Sequence, residues 1–182
     1  MILKKVRCDW VFLAETNQHG GYSLCAMIPD SHPQMAEVRK EIEKAKAKGI
    51  SGGKFTEANT KSANFKNPLH NGTEEAASEE RPAVYKGHHY VNANQKGGQL
   101  GVVGPNLQPL MDDSCLYSGA FYNIEIAFYP FNTKSKGVGC GLNNVMFVEH
   151  GDRLDGRQNA EAAFAGMGVA DGGEGEGEGD LQ

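Results

Sequence analysis

The sequence has no apolar run approaching the roughly 20 residues that a membrane-spanning helix requires, so none is expected. Its first residues, MILKKVRCDWVFLAE, are broken by charge throughout and lack the basic-then-apolar layout of a secretory signal. Four cysteines (Cys8, Cys25, Cys115 and Cys140) stand alone with no C-x-x-C pair. They read as reduced thiols, mostly buried as small apolar groups, in a cytoplasmic protein. Catalytic constellations are equally scarce. His88 and His89 are adjacent, so on a strand they face opposite ways and do not make a metal pair. Cys140 and His150 lack a third group, and GVGCG lacks the lysine and hydroxyl of a phosphate loop. The EGEGEGD run lacks the ligand order of a calcium loop. No cofactor, metal site or enzymatic activity is expected.

What is present begins with charge. The chain carries 18 bases against 23 acids, a net charge of −5. Five of the acids, Asp171, Glu174, Glu176, Glu178 and Asp180, lie in the final ADGGEGEGEGDLQ with no base among them. A second acidic patch holds Glu74, Glu75, Glu79 and Glu80. Outside these two segments bases outnumber acids, so the body is mildly basic. Length and pattern indicate one domain over residues 1–168, followed by an acidic Gly/Glu tail over 169–182. Glycine keeps that tail from forming a helix. With a reach of roughly 20 Å it can fold back over a basic groove or meet a partner.

Residues 4 to 14 alternate, with Val6, Cys8, Trp10 and Phe12 on one face and Lys5, Arg7 and Asp9 on the other, which predicts a strand. NQHGG is a turn, and Tyr22 to Ile28 the returning strand. Ser31 and Gln34 have capping-box spacing, and Met35, Val38, Ile42 and Ala45 recur with helical period until Gly49. Residues 50–83 sustain no period and predict a long flexible loop. Strand pattern resumes over 83–94. The clearest hairpin follows: Ala120, Tyr122, Ile124, Ile126 and Phe128 share one face, with Phe121, Asn123, Glu125, Ala127 and Tyr129 on the other. Its return strand places Leu142, Met146 and Val148 together. A short helix is expected around 159–164. Two strands, a helix and further strands predict a mainly β fold with one principal helix. A partly open OB-like β-barrel with long loops fits, and a β-sandwich with one helix fits the same pattern.

Aromatic residues on a half-polar strand face, interleaved with bases, are what single-stranded nucleic acid needs: flat partners for bases and cations for phosphates. The stacking candidates are Trp10, Tyr85, Tyr90, Phe121, Tyr129 and Phe131. The phosphate candidates are Lys5, Arg7, Lys86, Lys134 and Lys136. Trp10 lies on a face that also reads as core.

The stretch from Tyr117 to Phe164 resembles a bacteriophage family of single-stranded DNA-binding proteins first catalogued as a domain of unknown function. Its most specific parts are the aromatic hairpin with KGVGCGLNNV and the following DRLDGR, with YSLCAMIP, NPLHNGTEE and YKGHHYVNA upstream. The resemblance spans most of residues 5 to 165. It implies an OB-type fold, sequence-independent binding of single-stranded DNA, and a role in phage DNA replication or recombination in the host cytoplasm. The tail is similar in kind to the acidic C-termini of such proteins, which implies replication proteins as partners. It departs from them in ending Asp180-Leu181-Gln182, without a terminal aromatic. Self-association into a homo-oligomer is left open. The rival reading is a protein-interaction module that binds no nucleic acid.

Overall fold

A computed structural model describes residues 1–110 and 113–156 of the chain. The helix expected near 159–164 and the acidic tail lie outside the described residues. Alternating apolar residues form β1 (Ile2–Phe12), which pairs antiparallel with β2 (Gly21–Pro29) as the hairpin pattern predicts. The alternation is broken twice. Leu3 and Val6 oppose Ile124 and Tyr122, so one extra residue near Lys5 (φ 47°) keeps both apolar side chains inward. A second bulge follows Asp9, since Asp9 opposes Cys25 while Phe12 opposes Ser23. Trp10 sits there at φ 49° and is 59 % exposed. The single face expected for Val6, Cys8, Trp10 and Phe12 is therefore corrected. Val6 and Cys8 point into the core, the bulge turns Trp10 and Phe12 outward, and Leu13 restores the inward phase.

Helix α1 (Met35–Ser51) buries Met35, Val38, Ile42, Ala45 and Gly49, the predicted stripe. Ser31 does not cap it. The helix starts at Gln34, whose amide instead donates to the Ile2 carbonyl and accepts from the Lys4 N–H, both at 2.9 Å. The helix is thereby tied to β1. Gly49 does not end the helix; it admits the Phe55 ring, which would lie 2.2 Å from any Cβ placed there.

The segment expected to be a flexible loop over 50–83 instead carries α2 (Glu57–Thr60), β3 (Leu69–Asn71) and α3 (Gly72–Ala77). It is pinned by isolated apolar anchors, Phe55 and Phe65 edge to face with centroids 5.1 Å apart. A 3-10 turn, Ala83–Tyr85, occupies the start of the predicted strand, and β4 (His88–Lys96) begins later. A short β5 (Gly101–Val103) precedes the long hairpin of β6 (Phe121–Asn132) and β7 (Lys136–Glu149).

The sheet order is β3-β4-β2-β1-β6-β7-β5, and β4 also pairs parallel with β7. That pair closes β1, β2, β4, β7 and β6 into a five-stranded barrel, with β3 and β5 as additions. Tyr122, Ile124 and Ile126 fill its interior as predicted, while Phe128 is half-buried. On β7, Asn143 is an extra residue between the pairs Ile126–Leu142 and Glu125–Asn144. It inverts the phase, so Val145 and Phe147 point inward and the expected inward Met146 and Val148 do not follow Leu142.

Candidate nucleic-acid interface

Strand register places one row of outward-facing residues across the barrel wall. Phe12 opposes Ser23, Ser23 opposes Asn94, Asn94 opposes Gly141 and Gly141 opposes Ala127. At about 4.8 Å per strand the row is roughly 19 Å long. Beside it lies a concavity of about 680 Å³. Asn17 and His19 of the β1–β2 loop and Tyr129 of β6 line part of it. Tyr22, Gln95, Lys96, Leu142 and Asn143 line the rest.

Tyr129 owes its position to glycine. A Cβ on Gly139 would meet the Tyr129 ring at 2.7 Å, and one on Gly141 would approach it at 3.7 Å. The ring therefore lies over a strip of β7 that carries no side chains, 49 % exposed and aimed at the groove. This accounts for two glycines of the GVGCG run, while Gly137 admits the Lys66 backbone, whose oxygen would lie 2.5 Å from a Cβ there. Phe131 follows on the same face and is half-buried. Beyond it, the β6–β7 turn carries Lys134 and Lys136, with Lys66 docked alongside through backbone bonds to Lys136 and Val138. Lys134 is exposed and makes no ion pair among the described residues. Lys136 donates to Asn59 at 3.2 Å but stays exposed.

The other predicted residues are placed differently. Trp10 is exposed at the edge of the row, on the bulge between Asp9 and Phe12. Phe121 shares the outward face of β6 with Tyr129 but stands eight residues away, about 26 Å along the strand. It packs where Gly151 leaves room, 2.9 Å from a Cβ there, and is not part of the groove. Tyr85 and Tyr90 are 0 % and 2 % exposed, so as stacking residues they are corrected. Burial pushes the Tyr90 hydroxyl up to about 12 and the Tyr85 hydroxyl well up, so both stay protonated donors. Arg7 is corrected as a phosphate contact, because its guanidinium holds the Gly119 and Asp152 carbonyls at 3.2 and 2.6 Å. Lys5 pairs with Glu149 at 3.1 Å, on the far end of the barrel wall. Lys86 is exposed but away from the row. Cys140 is buried, and desolvation pushes its thiol up to about 12.

Sequence reasoning missed Ser23, Asn94, Lys96 and His19. The signal was present in YVNANQK, where Asn92, Asn94 and Lys96 alternate with Val91 and Ala93. Gln95 Oε1 is a buried acceptor without a partner among the described residues, beside the groove. A second, apolar pocket of about 430 Å³ between Ile2, Val103, Leu107 and Met146 lies further along the outward face of β6, at Asn123 and Glu125, and shares no lining residue with the groove.

A five-stranded barrel closed by a parallel pair, with an open groove between its first and last hairpin loops, defines an OB-type protein; in that fold the face of the second and third barrel strands binds oligonucleotides or oligosaccharides. Here those strands are β2 and β4. The chain belongs to the family described as Enterobacter phage Enc34, ssDNA-binding protein, whose model matches residues 1–174. Among solved structures, it is similar to the single-stranded DNA-binding protein from bacteriophage Enc34, at 18 % identity and a TM-score of 0.67 over 90 % of this chain and 88 % of that one. The same phage protein in complex with ssDNA matches at 17 % identity and a TM-score of 0.66, over 84 % and 88 %. Bacteriophage T7 gp2.5, a single-stranded DNA binding protein, matches at 17 % and 0.61, over 97 % and 99 %. A putative protein p50 of Acyrthosiphon pisum secondary endosymbiont phage 1 is 36 % identical over 87 residues, 47 % of this chain. The match spans 41 % of that protein's length.

Proposed function

We propose that this protein binds single-stranded DNA without reading its sequence, in phage DNA replication and recombination in the host cytoplasm, and catalyses no reaction. The strand crosses the barrel along Phe12, Ser23, Asn94 and Gly141, with bases against Tyr129 and Trp10 and phosphates near Lys96 and Lys134. The observation that carries this is the outward row itself. It joins rings, amides and glycine, groups that offer stacking and hydrogen bonds but no fixed pattern of base-edge partners. Family membership supports the same reading.

Binding measured by fluorescence anisotropy of a labelled oligothymidylate tests it. Affinity should fall with salt at a log–log slope of about −0.7 per neutralised phosphate, and duplex DNA should bind more weakly. An affinity unaltered between low and high salt would remove the electrostatic groove. The acidic tail, with Asp171, Glu174, Glu176, Glu178 and Asp180, is proposed to compete for the groove and to engage replication proteins when displaced. Truncation after residue 170 should tighten binding in the same assay, and equal affinities would leave the tail without that role.

A further inference from the structure

The outer face that carries the row continues beyond it, and there it is covered. Two more rows run in register, Asp9–Cys25–Asn92 and Arg7–Met27–Tyr90. Residues 72–86 lie over Asp9, Cys25, Met27 and Tyr90 and leave Asn92 exposed, so that Cys25, Met27, Tyr85 and Tyr90 form a small cluster apart from the barrel core. The cover is attached in an unusual way. Among the described residues, the backbone–backbone hydrogen bonds of 72–86 outside regular elements are internal to the segment, such as Ser78 to Glu74, Arg81 to Glu75 and Tyr85 to Pro82, and the His88 ring meets the Lys86 carbonyl at 2.9 Å.

Side chains hold it down. The Tyr85 hydroxyl donates to Asp9 at 2.8 Å and lies 3.5 Å from the Cys25 sulfur. The Tyr90 hydroxyl donates to Glu75. Arg81 stands 4.7 Å over the Tyr90 ring and 5.2 Å over that of Tyr85, and pairs with Glu75 at 3.6 Å. The two ends of the cover are Gly72 and the Gly87 that follows it, the latter at φ +75°. Its exposed side bears Glu74, Glu79 and Glu80, next to a path for a polyanion.

We propose that residues 72–86 are a displaceable cover over a second half of the single-stranded DNA site, which a long strand lifts. This rests on the function proposed above. Lifting the cover replaces its contacts with equivalent ones to DNA. The Tyr90 ring, buried while the cover is closed, and Trp10 at the border between open and covered rows take stacked bases. Arg81 and Glu75 leave together with the cover, and Asp9, freed of the Tyr85 hydroxyl, accepts from base amino groups beside Asn92. An oligonucleotide confined to the open row leaves the cover closed. A strand longer than the roughly 16 nucleotides an OB barrel accommodates opens it.

Hydrogen–deuterium exchange of the full chain, with binding followed by anisotropy on the same samples, tests this. Saturation with a long oligothymidylate should speed exchange over 74–86 by about tenfold or more, as loss of local protection requires. Exchange at Ser23 and Asn94 should slow, and a short oligothymidylate should slow the row without affecting 74–86. Tyr85→Phe, which removes the bond to Asp9, should speed exchange over 74–86 without DNA and tighten binding of the long strand several-fold. Saturable binding of the long strand with 74–86 exchanging as before, or more slowly, would overturn the proposal while the binding function stands. Absence of any saturable binding would overturn both.

Discussion

Tyr129→Ala is expected to weaken single-stranded DNA binding by about 1–3 kcal/mol, the contribution of one base stacked on an aromatic ring. The ring is half exposed and rests on Gly139 and Gly141 rather than in the core, so the melting temperature should stay close to that of the parent protein. Gly139→Ala supplies a companion. Its added Cβ would lie 2.7 Å from the ring and must tip it from the strip, giving a loss of the same direction with the phenol still present. Anisotropy titration and a thermal melt on each variant check both halves. Parent-like affinity in both variants, or a large fall in melting temperature with Tyr129→Ala, would mean that the ring is a packing residue.

Gly119→Ala should do the reverse. Gly119 has φ +116°, and a Cβ there would sit 2.1 Å from the Asp152 carbonyl oxygen and 3.0 Å from the Arg153 Cα. Both neighbours are backbone, and Arg7 holds the Asp152 carbonyl and that of Gly119 itself, so the clash does not relax easily. The strained conformation and the clash together should cost about 3 kcal/mol or more. In a chain of this size that lowers the melting temperature by roughly 10 °C. The site is at the opposite end of β6 from Tyr129, so DNA affinity measured well below the melt should be unaltered. Calorimetry with anisotropy at low temperature checks the pair of outcomes.

The elements that were legible in the sequence are those whose burial follows one uninterrupted period. Helix α1 shows its stripe in Met35, Val38, Ile42 and Ala45, and the barrel interior shows in Tyr122, Ile124 and Ile126. A bulge inserts one residue and inverts every later position. The insertions beside Trp10 and at Asn143 therefore turned correct strands into wrong faces. Residues 50–83 looked formless because their anchors are single side chains, Phe55 and Phe65 packed on each other beside Gly49 and Leu69 against the barrel core, with no sustained period between them. The site was legible in kind and less so in detail. Tyr129, Phe131 and Lys134 follow one another along the end of β6 and its turn, and of these Tyr129 lines the groove. Tyr85 and Tyr90 do not, because a tyrosine that buries its ring and satisfies its hydroxyl on Asp9 or Glu75 has the same local sequence as one facing solvent. Arg7 and Lys5 carried the right charge, but carbonyls and Glu149 already hold them.

Amide chemical-shift mapping during titration with an oligothymidylate tests the strand path most directly. Shifts should concentrate at Ser23, Asn94, Lys96, Gly141 and Tyr129, continue into the Lys134 turn, and leave the Ile2–Val103–Met146 pocket and α1 unmoved. Saturation accompanied by shifts at that pocket or along α1, with the Ser23–Asn94–Gly141 row unchanged, would contradict the path described.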